Sequence, residues 1–120
     1  MTPTEFDFTV KMPGDSRLVG AIRQLTTHAA GYAQIAAEDG EQLAQHVERA
    51  TETAIAASKA QTTLIEFRFS ADTEALVVVF ACDVASSAPR PASTHAGTVT
   101  VDWAAEGSRH ICRIRQRLTA

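Results

Sequence analysis

Residues 40 to 83 read GEQLAQHVERATETAIAASKAQTTLIEFRFSADTEALVVVFACD, a helix followed by two strands. In the first half Leu43, Val47, Ala50, Ala54 and Ala57 recur at steps of four, three, four and three, one face of an amphipathic helix that starts near Asp39-Gly40. Alanine at three of those positions makes a low stripe that lets a neighbouring helix or sheet approach closely. After Lys59 the period changes to that of strands over Leu64 to Phe69 and Ala75 to Asp83, with Ser70-Ala71-Asp72-Thr73 as the turn. The run Leu76-Val77-Val78-Val79-Phe80 is apolar enough for a central strand covered on both faces.

Working outward to the amino end, Phe6, Phe8 and Val10 alternate with Asp7, Thr9 and Lys11, and the strand they predict stops at Met12-Pro13-Gly14. Asp15 or Ser16 can cap the next helix, because a short side-chain oxygen accepts from the free amides of a first turn. Leu18, Ile22, Leu25, Ala29, Tyr32 and Ala36 then form one apolar stripe along that helix, with Arg17, Arg23, Gln24 and Thr27 off the stripe.

Towards the carboxyl end, residues 84–96 contain Pro89, Pro91 and three serines and predict a flexible surface loop. Val99, Val101 and Trp103 alternate with polar neighbours, and Ala104 to Gly107 offers a turn. The segment from Ser108 to Leu118 suits either a helix or a strand. A strand is preferred, since it completes a hairpin and places Arg113, Arg115 and Arg117 together on one exposed face. The expected architecture is an α/β two-layer sandwich formed by residues 1–120 as a single domain, a mixed five-stranded sheet with two long helices on one face.

Composition narrows function by exclusion. The 120 residues are 45% hydrophobic and carry a net charge of -3, which suits one soluble domain with its own core. Residues 84–120 hold five arginines against two acids, yet an isoelectric point near 5.7 makes nucleic acid an unlikely partner. Neither a membrane span nor a signal peptide is legible, so a cytoplasmic protein is expected. Cys82 and Cys112 lack metal or redox spacing and are expected to be buried thiols. His28, His46, His95 and His110 fall on separate elements and predict no metal site, and no serine is set in a nucleophile elbow.

The order of elements, with Glu48-Arg49-Ala50-Thr51-Glu52-Thr53-Ala54-Ile55 on the second helix and Val99-Thr100-Val101-Asp102 opening a final hairpin, resembles the anti-sigma regulatory and serine-protein kinase branch of the histidine-kinase-like ATPase (GHKL) family. The resemblance implies a reduced ATPase fold. In that family the second helix carries Glu-x-x-x-Asn, for water activation and Mg²⁺, and here those positions are Arg49 and Thr53. A guanidinium cannot act as a base at neutral pH, and a threonine hydroxyl is a poorer ligand than an amide oxygen. The family's Asp-x-Gly-x-Gly falls on Asp83 to Ser87, where Asp83 is kept but Ala85 and Ser87 replace the glycines. The glycine-rich lid has no counterpart between Asp83 and Val99.

What the resemblance implies is a regulator without catalysis, cofactor or metal, binding a sigma factor, an anti-sigma antagonist or a second copy of itself. The first helix and leading strand would form the partner surface, with Arg17, Arg23 and Gln24 as first candidates. Two other readings stay open. One is an active ATP- and Mg²⁺-dependent kinase using Glu48, Glu52 and Asp83; the other is an unrelated sandwich binding a small molecule between helices and sheet.

Overall fold

The computed structural model describes residues 5–15, 19–57, 64–83, 91–107 and 109–118. Along the chain run β1 (Phe6–Pro13), α1 (Val19–Tyr32), α2 (Ala37–Ala57), β2 (Leu64–Ala71), β3 (Ala75–Asp83), β4 (Thr94–Ala96), β5 (Val99–Glu106) and β6 (Arg109–Arg117). The strands form one sheet in the order β1-β2-β3-β6-β5-β4. The predicted strand for the last segment is present, and Arg113, Arg115 and Arg117 are all exposed on it.

Two expectations about the sheet are corrected. It has six strands rather than five, because Thr94 to Ala96, read as loop, pairs with Val99 to Val101 across a two-residue turn at Gly97-Thr98. Gly97 sits at φ +60, a conformation that a residue with a Cβ rarely adopts, and this makes the turn tight enough for a three-residue strand. Every pairing is antiparallel, so the sheet is not mixed. The reason lies in the helices: α1 and α2 run antiparallel, with Ala30 against Gly40 and Arg23 against Glu48. The pair therefore returns the chain to the end of β1 it left, and Leu64 pairs with Pro13.

The helix boundary also differs. The apolar stripe predicted one helix to Ala36, yet α1 stops at Tyr32 and Gln34 takes a left-handed φ of 63°. Gln34 N–H donates to the Gly31 carbonyl (3.1 Å) and Ile35 N–H to the Ala30 carbonyl (3.0 Å), the paired bonds of a Schellman cap. The second helix begins at Ala37, earlier than predicted, with Glu38 and Asp39 in its first turn, where acids favour the positive end of the helix.

Both helices lie on one face of the sheet. Beneath them Ile65, Phe67, Phe69, Leu76, Val78, Phe80, Val101, Trp103, Cys112 and Ile114 are buried, and Ile22, Leu43, Val47, Ala50 and Ala54 close over them. Each large side chain so covered contributes about 1.5–3 kcal/mol. The expectation that β3 is covered on both faces is corrected: Val77, Val79 and Ala81 are only half-buried on the open side. Val79 is flanked by Arg68 and Arg113, and Val77 by Arg115. The aliphatic stems of those arginines can shield the valines while their heads stay in water, so an apolar strand survives without a second helical layer.

Candidate functional site

The positions that resemble a nucleotide site are placed apart. Arg49 and Thr53 are exposed on α2. The Thr53 hydroxyl donates back to the Arg49 carbonyl at 2.9 Å, a helix-surface bond. Cys82 lies under α2, its Sγ 3.9 Å from the Ala54 carbonyl oxygen, so the next residue, Asp83, projects to the open side of the sheet. There its carboxylate faces the Arg109 guanidinium at 3.8 Å. Asp83 thus projects from the open side of the sheet, whereas Arg49 and Thr53 stand on the helix that covers the other side. Ala85 lies outside the described residues, as do the other residues from 84 to 90 of the predicted loop.

For the alternative carboxylate set, Glu48 is committed to Arg23 at 3.6 Å, while Glu52 is exposed. Among the described residues no group of three or more His, Cys, Asp or Glu side chains is arranged to hold a metal ion. Burial lowers the His46 pKa, helped by the neighbouring Arg49 charge. Cys82 and Cys112 are free and buried as expected, and burial pushes the Cys112 thiol up to about 12, far from the thiolate needed for nucleophilic or redox work.

The partner-surface candidates divide. Arg17 lies outside the described residues. Arg23 bridges the helices, reaching Glu41 at 3.4 Å as well as Glu48, so its charge is already answered within the fold. Gln24 is exposed one turn before His28 on the same line of α1.

That line leads to the apolar cleft between α1 and β1. Phe6, Phe8, Leu25, His28, Ala29 and Tyr32 enclose about 320 Å³ there. Phe8 stacks on the fully buried Phe69 at 5.1 Å with an interplanar angle of 8°, which fixes the cleft floor to the core. Phe6 meets Tyr32 edge to face at 6.3 Å. Tyr32 is 70% exposed, because α1 ends there and its ring overhangs β1 instead of continuing the stripe. Beside the cleft, β1 is an edge strand that, among the described residues, pairs with β2 alone.

The chain matches no protein-family model and no curated protein. Its site is therefore argued from geometry. The family resemblance implies a partner surface on α1 and β1 with Arg17, Arg23 and Gln24 as first candidates, and the cleft adds aromatic residues of the same two elements. The aromatic wall was missed because Phe6, Phe8 and Tyr32 each fit an apolar stripe, and a stripe does not reveal which of its members the fold leaves uncovered. The signal available was the pairing of an aromatic-rich edge strand with a tyrosine at the last turn of a short helix.

Proposed function

We propose that this chain is a non-catalytic regulatory protein, a degenerate relative of the anti-sigma and serine-protein kinase branch of the histidine-kinase-like ATPases, which acts by binding another protein. The observation that carries the reading is the α1/β1 cleft: an apolar, half-open wall of Phe6, Phe8, Leu25 and Tyr32 beside the eight-residue strand β1, whose outer edge has no partner strand among the described residues. An extended partner segment would add to the edge through main-chain hydrogen bonds and seat an apolar side chain against Tyr32. A sigma factor or anti-sigma antagonist in the cytoplasm is the partner class that the resemblance implies; a second copy of the chain is the other.

Topology supports the family side of the proposal. The β2–β3 hairpin leads into the β5–β6 hairpin on the same sheet, with β6 directly beside β3. The loss of catalysis is supported by Arg49 and Thr53 standing apart from Asp83, and by Glu48 and Asp83 each facing an arginine.

The test is partner capture by the wild type and by a Phe6→Ala/Tyr32→Ser double variant that keeps its cooperative unfolding. The variant should lose the partner, and full retention would place the binding surface elsewhere. Calorimetric titration with ATP and Mg²⁺ should give no heat of binding; micromolar affinity would restore the kinase reading.

A further inference from the structure

On the face of the sheet away from the helices, towards the β4 edge, lies a second concavity, polar and wide, of about 590 Å³. Its rim is made by the β2–β3 turn at Thr73-Glu74, the β4–β5 turn at Gly97-Thr98 and the end of β6. Arg115 and Arg117, two apart on β6, enter it from the same face of the strand. His95 and Thr100 face one another across the β4–β5 pair, Nδ1 to Oγ1 at 3.0 Å.

The arginines of this bowl differ from Arg68 and Arg109 on the same open face, though Arg113 shares with Arg117 the lack of an ion pair among the described residues. Arg68 is held by Asp7 through two bonds, at 3.0 and 2.6 Å, and Arg109 faces Asp83. Among the described residues Arg115 has one ion pair, with Glu74 at 4.0 Å, and that carboxylate is 80% exposed, a contact of little energetic weight; the nearby Asp72 carboxylate also feels the Arg115 charge but is already occupied by the Glu74 and Ala75 amides. Arg117 makes no ion pair among the described residues.

One hydroxyl is oriented by the fold. Gln116 is buried, and its Nε2 donates to Thr98 Oγ1 at 2.6 Å and to the Arg117 carbonyl at 3.0 Å. The carbonyl contact fixes the amide this way round, since the reverse would set two oxygens against each other. With its oxygen already accepting, Thr98 has its own O–H to donate, on the rim of the bowl. Two guanidiniums, threonine hydroxyls and an imidazole in one concavity make a donor-rich site whose acidic member is weakly held.

We infer that this bowl binds a phosphate monoester, with Arg115 and Arg117 taking the phosphoryl oxygens, the Thr98 hydroxyl adding a third donor and Glu74 swinging out as Arg115 changes partner. Planar guanidiniums match phosphate oxygens in bidentate pairs, and charge-assisted bonds of this kind are the strong ones. The volume exceeds what phosphate alone fills and suits a group the size of a pentose phosphate or a phosphorylated side chain.

The experiment is an amide NMR titration of the whole chain with inorganic phosphate, ribose 5-phosphate and a phosphoserine peptide, at constant ionic strength made up with chloride. Saturable shifts at Gly97, Thr98 and Arg117 are expected. Arg115→Gln/Arg117→Gln should weaken binding about tenfold or more, since each lost charge-assisted bond is large on that scale. Glu74→Gln, at an exposed position that the fold does not depend on, should tighten binding by removing the competing carboxylate. Tighter binding of ribose 5-phosphate or of the peptide names the source of the phosphoryl group. No saturable shift with any of the three, or shifts unchanged in both variants, would overturn the inference.

Discussion

The two edges of the sheet are built to opposite plans. At one edge β1 is eight residues long and turns Phe6 and Phe8 towards α1, leaving an unpaired ladder beside an apolar cleft. At the other β4 is three residues long, and its neighbourhood is a polar bowl of threonine, histidine and arginine. A long apolar edge invites another strand, whereas a very short polar one discourages it. The difference teaches where a chain without a legible catalytic centre can meet a partner. The β1 edge suits a protein segment; the β4 edge suits a small charged group.

The sharpest way to break this comparison is to remove what fastens the β1 edge to the core. Phe69 is fully buried and stacks on Phe8, so Phe69→Ala removes the core ring on which the cleft floor rests and leaves a cavity. It should destabilise the protein by about 3–5 kcal/mol. The matching change at the β4 edge, His95→Ala, removes an exposed ring whose contact is Thr100, and should shift stability by less than about 0.5 kcal/mol. Urea unfolding of the two variants measures both, and equal losses would show that the edges are fastened alike.

A smaller effect, of opposite sign, is expected at the turn that sets Tyr32 over β1. Gln34 holds the left-handed position of the α1 cap, which costs a residue with a Cβ and suits glycine. Gln34→Gly should raise stability by about 0.5–1 kcal/mol, with the cleft and the partner affinity unchanged. A rise in stability accompanied by loss of the partner would mean that the cap does more than end the helix.

That cap also shows why the fold was only partly legible. Alternation made β1 and β5 legible, because one face of each had to be apolar to meet the helices; β3 was legible as an unbroken apolar run, and β6, which suited a helix as well, through the hairpin it completes with β5. The end of α1 was hidden, because neither glycine nor asparagine marks its cap and Ala36 continues the 3.6-residue pattern beyond it. β4 was hidden because Thr94, His95 and Ala96 have no apolar period, and their strand exists through its pairing with β5. The candidate site was legible as two elements and illegible as residues. Periodicity tells which side chains are apolar, and the cleft consists of those the packing left half-covered. The ion pairs of Arg23, a partner candidate by the family resemblance, with Glu41 and Glu48 were not legible, because two helices must cross before those residues become neighbours.

The smallest expected effect distinguishes the two edges by pH. On the open side of β1, Asp7 accepts two bonds from the Arg68 guanidinium, which holds its carboxyl below the usual carboxylate range. Towards the β4 edge, the Gln116–Thr98 contact joins an amide to a hydroxyl and has no charge to titrate. A carboxyl whose folded pKa is depressed contributes stability at pH above its unfolded value, about 3.9, and loses that contribution as pH falls through the folded value. Asp7→Asn should therefore lower the urea midpoint slightly at neutral pH, and the gap from the wild type should close as the pH falls below about 4. Both groups are in water, so added salt should narrow the same gap at neutral pH. A Thr98→Val variant should show no such closing, because what it removes stays neutral throughout. A constant gap for Asp7→Asn down to the lowest accessible pH would mean that the Arg68 pair does not hold the β1 edge through its charge.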